Sequence, residues 1–288
     1  MDGWIILDKD SGTFSRTAGG RVARIFQNKK FGHIGTLDPM ASGVLPIAIG
    51  NATKMIPFVE ELNEQTKEYL FGVRFGVETD TLDITGTTIC DGGRIPSETE
   101  LKDVLPSFIG DQMQTPPAYS AVHIDGERAY MAARSGKTVD IPPRKIRIFD
   151  LEYTGKIDDS FNFRVKCSRG TYVRSIARDI AQRLNTYGIA TMIRRIKSGN
   201  FDIKNAAKLD FLENLVNNNA DIGKYLMPVD SGLGDIPVLN LDNKDTELYV
   251  HGGFIRATGD GLVRVYNNDR FIGVGRVTDR TLKPKRTI

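Results

Sequence analysis

Gly32-His33-Ile34-Gly35-Thr36-Leu37-Asp38-Pro39-Met40-Ala41-Ser42-Gly43 places one carboxylate, one imidazole and three glycines in twelve residues. Pro39 biases Asp38 toward an extended backbone. Gly35 and Gly43 permit positive φ or the close approach of another chain segment. The expected product is a stiff loop that presents a single carboxylate. Asp-Pro commonly forms a turn in which the side chain bonds its own backbone. The chemical use of the same residue is as an ionised nucleophile, which needs a cation beside it. Arg174, on the most basic helix of the chain, is the candidate. Glycoside hydrolysis of the usual kind wants a second carboxylate, and this loop has none.

Tyr69 stands on an otherwise apolar alternating run. It reads either as a core phenol with a satisfied hydroxyl or as a platform on which a base stacks, worth ~1–3 kcal/mol. His33 is one of three histidines (33, 123 and 251), no two of them close in sequence, so a zinc site has little basis. Glu78, Asp80 and Asp83 match neither an EF-hand nor a two-metal pair and read as a solvated strand end. Cys90 and Cys167 form no CxxC motif, which points to a reducing, cytoplasmic setting without disulfides. Asp2 and the lack of a basic start argue against a signal peptide. Apolar runs such as Gly43–Gly50 are far short of the ~20 residues that span a membrane.

Charge is distributed unevenly. Between Phe161 and Asn200 stand Arg164, Lys166, Arg169, Arg174, Arg178, Arg183, Arg194, Arg195 and Lys197 against one acid, Asp179, although the whole chain carries only +3. A smaller run (Arg16, Arg21, Arg24, Lys29, Lys30) lies near the start, and Lys283, Lys285 and Arg286 lie at the end. Such clustering is the footprint of a polyanion partner, because the cations repel one another unless an anion is near.

The elements that must position these groups follow from periodicity. Trp4–Asp8 and Val44–Ile49 read as buried strands, and Thr17–Phe26 as a helix. Tyr69, Phe71, Val73, Phe75 and Val77 share one face of a strand over Lys67–Val77. Ser97 and Glu100 form a capping box that opens a short helix. Strands are expected at Lys145–Tyr153 and Phe161–Cys167, the latter with Phe161, Phe163, Val165 and Cys167 inward. After Gly170 a helix carries the stripe Val173, Ile176, Ala177, Ile180 and Leu184. Asn214–Asp221 reads as a loop or helix end. The 288 residues suit two domains at about 150 residues each. A second unit begins near Ile236, where Leu262–Tyr266 and Phe271–Val277 flank a hairpin turn at Asn267-Asn268-Asp269.

Taken in order, Gly32-His-Ile-Gly-Thr-Leu-Asp-Pro39, Ser42-Gly43-Val-Leu-Pro46 and Gly50-Asn-Ala-Thr-Lys54 resemble the signature of the TruB family, the tRNA pseudouridine-55 synthases. So do Lys67-Glu-Tyr69, Gly76-Val-Glu-Thr-Asp-Thr81, Tyr119-Ser-Ala-Val122, Gly126-Glu-Arg-Ala-Tyr130, Cys167-Ser-Arg-Gly-Thr-Tyr-Val-Arg174 and Arg194-Arg195. The matches are collinear from about residue 3 to 205, and Val263 through Arg286 resembles a PUA RNA-binding module. The resemblance implies an α+β fold. Its core is a mixed, mainly antiparallel sheet with flanking helices over 1–232, followed by a small barrel-like PUA domain over 233–288. It implies isomerisation of a T-loop uridine of tRNA at position 55, without cofactor or metal, by a monomer that binds the T-arm. Asp38 would be the nucleophile, paired with Arg174. Tyr69 would stack on the uracil and take part in the late proton transfer. His33 would fill the space left by the flipped base, Ile193 would pack against the base, and Tyr172 and Lys9 would line the site. Arg164, Lys166 and Arg178 would position RNA through its phosphates.

This chain departs from the family pattern at Asp10, where proline is usual, at Ile34 (usually Thr), at Ile193 (usually Leu) and at His123 (often Lys). Three competing readings remain: a non-catalytic RNA-binding protein on the same scaffold, a metal-dependent nuclease using Glu78, Asp80 and Asp83, and a synthase of the guide-RNA type.

Overall fold

The computed structural model describes all residues except 63–65, 121, 125–126 and 135–139. Parts of the quoted Tyr119–Val122 and Gly126–Tyr130 segments therefore lie outside the described residues. Strand β1 (Gly3–Lys9), helix α1 (Ser15–Ile25), and strands β2 (Phe31–His33), β3 (Ser42–Ile49) and β4 (Lys67–Phe75) contain the first half of the site. β1 is buried along its whole length and β3 from Gly43 onward, and they pair antiparallel from Gly3↔Ile49 to Lys9↔Gly43. β4 ends at Phe75 rather than Val77, because Gly76 turns the chain at φ +89.

The main sheet runs Ala207–Lys208, β1, β3, Gly188–Ser198, β4, Ser160–Cys167, Arg144–Ile157, Gly110–Gln114. It is mixed and mainly antiparallel; the pairings of β1 with Ala207–Lys208 and of β3 with Gly188–Ser198 are parallel. Phe71 and Phe163 stack at 5.2 Å between ring centroids. The expected inward row Phe161, Phe163, Val165 and Cys167 is buried. Helix Val173–Arg183 packs its Ile176, Ala177 and Ile180 stripe into the same core. Ser97 and Glu100 make both bonds of the capping box. Asn214–Asp221 begins as the last turn of helix Leu209–Asn217.

A second sheet of five strands runs Val238–Asn240, Gly261–Asn267, Arg270–Thr278, Thr281–Thr287, Ile255–Arg256, with helix Asn243–Val250 beside it. The hairpin loop is two residues, Asn268 and Asp269, one shorter than expected, with Asn268 at φ +51. The two sheets share a core: Phe271 and Val274 pack in one apolar cluster with Trp4, Ile6 and Val44. Arg264 adds an ion pair to Asp230 at 3.0 Å.

Gly43 is fixed by geometry. Its φ is +100, and a Cβ there would lie 2.1 Å from the carbonyl oxygen of Arg195 on the neighbouring parallel strand. Gly43→Ala should cost at least about 2 kcal/mol of stability, from the backbone conformation and the clash together. Chemical denaturation of the purified variant measures that loss.

Candidate active site

Asp38 sits in a turn. Its carbonyl accepts from the amide of Ala41 at 3.1 Å, with Pro39 second in the turn. The turn expected of Asp-Pro is therefore present, but the carboxylate takes no part in it. The loop is clipped to the N-terminus of α1: the Ser15 hydroxyl accepts from the Leu37 amide (3.0 Å) and donates to the Leu37 carbonyl (2.9 Å). The Lys9 ammonium donates to the carbonyls of Asp10, Thr13 and Pro39 at 2.9, 2.7 and 3.3 Å. These bonds aim Asp38 outward, where 38% of its side chain stays exposed.

Arg174 is the second residue of its helix. The Tyr172 amide donates to Gln114 Oε1 at 2.8 Å, and Gln114 Nε2 donates back to the Tyr172 carbonyl at 3.2 Å. This anchors the helix start on the end of strand Gly110–Gln114. The guanidinium then makes three bonds: Nε to Asp38 Oδ2 (2.8 Å), Nη1 to the Thr81 carbonyl (2.8 Å) and Nη2 to the Tyr119 carbonyl (2.9 Å). Its side chain is 3% exposed, so it is a buried charge with its donors in use. A second carboxylate, Asp83, stands 3.8 Å away.

Asp83 corrects the reading of a solvated strand end. It is 4% exposed, and its carboxylate accepts from the Thr81 hydroxyl (2.9 Å), the Thr85 hydroxyl (2.6 Å) and the Thr85 amide (2.9 Å). The spacing Thr81-Leu82-Asp83-Ile84-Thr85 was the available signal, because aspartate readily bonds the backbone two residues on. Asp80 likewise accepts from the Thr87 amide (2.8 Å) and the Tyr119 hydroxyl (3.3 Å).

Tyr69 lies under the Asp38 loop, buried on the inner face of β4. Burial pushes its phenol up to about 12, against the pull of the neighbouring Arg195. Ile193, also buried, stands opposite Phe71 on the adjacent strand, two pairs along from Arg195 opposite Tyr69 and so on the same face. His33 is half-buried beside the Thr36 hydroxyl at 3.2 Å. Burial, Arg195 and Arg16 hold its pKa below the usual value, so the ring is neutral at pH 7. Tyr172 packs against Val122, Ala129 and Ile141. Burial first, and with it the Arg195 charge, brings Lys9 and Lys67 down to about 8.

Of the expected site residues, the fold bonds Arg174 to Asp38 and brings Lys9, Tyr69 and Tyr172 within electrostatic reach of that carboxylate, with His33 near Arg195 and Ile193 on the strand beside Tyr69. Arg164 and Lys166 alternate to the opposite face of their strand, and Arg164 binds Glu68 at 2.8 Å. Arg178 turns back onto Asp179 (2.7 Å) and the Thr115 carbonyl (3.0 Å). Arg194 forks onto Asp8, with both bonds at 3.0 Å. The basic stretch is therefore partly neutralised by carboxylates from other parts of the chain, which a count along the sequence does not see. Sequence reasoning also passed over Lys67 and gave Arg195 no role in the site.

The family model for TruB pseudouridylate synthases (N-terminal domain) matches residues 23–173, and that for the C-terminal part of pseudouridine synthase II TruB matches 237–288. The tRNA pseudouridine synthase B of Gluconacetobacter diazotrophicus is 38% identical, the match covering 100% of this chain and 97% of that protein. The tRNA pseudouridine synthase B of Caulobacter vibrioides is also 38% identical, over 99% of this chain and 96% of that one. A chain in the structure of an H/ACA RNP bound to a substrate RNA containing 2′-deoxyuridine superposes with a TM-score of 0.73. That match is 20% identical and covers 99% of this chain and 84% of the other, so the likeness is one of fold. The fold is that of the pseudouridine synthases. Within them, the chain belongs to the TruB family.

The two buried lysines give a pH signature. Unfolded, each holds its proton to about pH 10.5; folded, each releases it near pH 8. From pH 8 to 9 the unfolded chain binds more protons, so stability rises with pH. Above pH 9 Cys167, raised to about 11, opposes the rise. Lys67→Met should flatten the slope between pH 8 and 9, by at most about 1.4 kcal/mol per pH unit, as read from denaturation midpoints.

Proposed function

We propose that this chain isomerises the uridine at position 55, in the T-loop of tRNA, to pseudouridine, with Asp38 as the essential carboxylate. The supporting observation is the Asp38–Arg174 pair: an exposed carboxylate bonded at 2.8 Å to a buried guanidinium. The names of its full-length relatives favour tRNA over a guide-directed substrate. Asp83 is committed to hydroxyls and Arg174, which disfavours the nuclease reading.

In the reaction the N1–C1′ bond breaks, the uracil turns, C5 bonds to C1′, the C5 proton leaves and N1 gains one. Asp38 either attacks C1′ or C6, or takes a proton from C2′. Each route needs the carboxylate ionised, and the partner bonded to it at 2.8 Å is the Arg174 guanidinium. Extruding the stacked base costs a few kcal/mol. Stacking on Tyr69, packing against Ile193 and the space filled by neutral His33 offset that cost. We assign the exchange of the C5 proton to Tyr69.

RNA would be held by its phosphates. Arg21 is taken by Glu213 at 2.7 Å, but Arg16, Arg24 and Lys29 line a groove along α1 with no acid in its lining. Phe14 stands at its edge, 59% exposed. A second groove brings Lys54 together with Lys285 and Arg286 of the C-terminal sheet. We assign residues 233–288 to RNA binding. Cutting them away would uncover the shared Phe271 and Val274 cluster, so charge substitutions test this role more cleanly than truncation.

Asp38→Asn should abolish tritium release from tRNA carrying 5-tritiated uridine while leaving tRNA affinity nearly unchanged. Full release by that variant overturns the assignment. Converting Arg16, Arg24 and Lys29 together to Gln should weaken tRNA binding and flatten its dependence on log salt by ~0.7–0.9 for each phosphate that is no longer neutralised. Filter binding across a salt series reads that slope.

A further inference from the structure

Arg195 is wholly buried, and the ion pair that serves Asp38 does not account for it. Its Nε donates to the Val44 carbonyl at 2.7 Å, while Nη1 and Nη2 have no hydrogen-bond partner among the described residues. No carboxylate among those residues lies within 4.0 Å of it. A buried charge with two idle donors is costly, and such groups call for a functional reason. The fold shows what they face. Arg195 stands directly opposite Tyr69 on neighbouring antiparallel strands, with Ile193 and Phe71 as the next pair on that face. Above lies the loop of Asp38: a Cβ on Gly35 would come within 3.0 Å of Arg195 Nη1 and 2.7 Å of Lys67 Nζ. The guanidinium thus lies between the nucleophile loop and the tyrosine.

We propose that Arg195 is the positioning residue for Tyr69: its two free nitrogens hold the phenol oxygen and balance the charge that oxygen carries until it takes the C5 proton. This rests on the reading of Tyr69 as the acceptor of that proton. At rest Tyr69 is a phenol, because burial holds its proton on. Once C5 is bonded to C1′, the phenol passes its proton through water to N1, and the phenolate left beside Arg195 removes the C5 hydrogen as a proton while the C–H electron pair becomes the C5–C6 double bond, so the phenol is restored and N1 holds the proton it gains. Arg195 forms no covalent bond. The neighbouring Lys67 and Lys9 cannot substitute, because burial brings both close to releasing their protons, whereas a guanidinium keeps its charge.

The test is single-turnover pseudouridine formation on tRNA whose target uridine carries hydrogen or deuterium at C5. The proteins compared are the native chain, Arg195→Met, Arg195→Lys, Tyr69→Phe and the Arg195→Met/Tyr69→Phe pair. Arg195→Met is expected to slow the step at least about tenfold with little change in tRNA affinity, and to raise the deuterium effect above that of the native chain. Arg195→Lys should recover part of the rate. In the Tyr69→Phe background, Arg195→Met should slow the step no further. If Arg195→Met does not fold, Arg195→Lys decides, since one ammonium replaces a two-pronged donor and must still raise the deuterium effect. An unchanged deuterium effect alongside an impaired Tyr69→Phe overturns the role of Arg195 alone. A loss of affinity in place of rate does the same and marks a phosphate contact. A Tyr69→Phe variant of native rate and deuterium effect overturns the reading of Tyr69, and this inference with it.

Discussion

One buried guanidinium organises this molecule. Arg174 projects from the first turn of its helix, gives two donors to backbone carbonyls and the third to Asp38, and leaves Asp83 close by as a second anion. Removing a positive charge from water is expensive unless carboxylates and carbonyls replace the solvent. Here they come from separate stretches of chain. The loop of Asp38, the turn around Thr81–Asp83, the segment at Tyr119 and the helix start must therefore fold together, because all of them meet at the same side chain.

The arrangement separates two requirements that the proposed role of Asp38 places on its surroundings. In that role the carboxylate needs a fixed cation and also an open face. The fold meets the first by burying the arginine rather than the acid, and the second by holding the loop from below through Ser15 and Lys9. The backbone carbonyls that accept from Lys9 include that of Pro39, so the residue after the carboxylate is pinned while the carboxylate itself stays partly open to solvent.

Much of this was legible in the residues. Alternation along Lys67–Phe75 and Ser160–Cys167 gave the inner face of the sheet, and the ordered motifs from Gly32 to Arg195 pointed to the family and to Asp38 and Arg174. What sequence hid was pairing across distance. Asp83 read as a solvated strand end because Glu78, Asp80 and Asp83 match no metal-site spacing, yet two threonine hydroxyls carry its carboxylate inside. Arg164 and Arg194 read as free positive charge because Glu68 and Asp8 lie far away along the chain. Arg195 passed as one more cation in a basic run, since nothing local distinguishes a buried guanidinium from a solvated one.

The apolar cluster that Phe271 and Val274 form with Trp4 and Val44 joins the two sheets by the same kind of packing that fills each of them. Val44 follows Gly43 directly, so the seam between the units starts on the strand that follows the Asp38 loop. A boundary built this way leaves no hinge: loosening of the terminal sheet would be felt at β3 before it reached solvent, and heat should melt both halves in a single event.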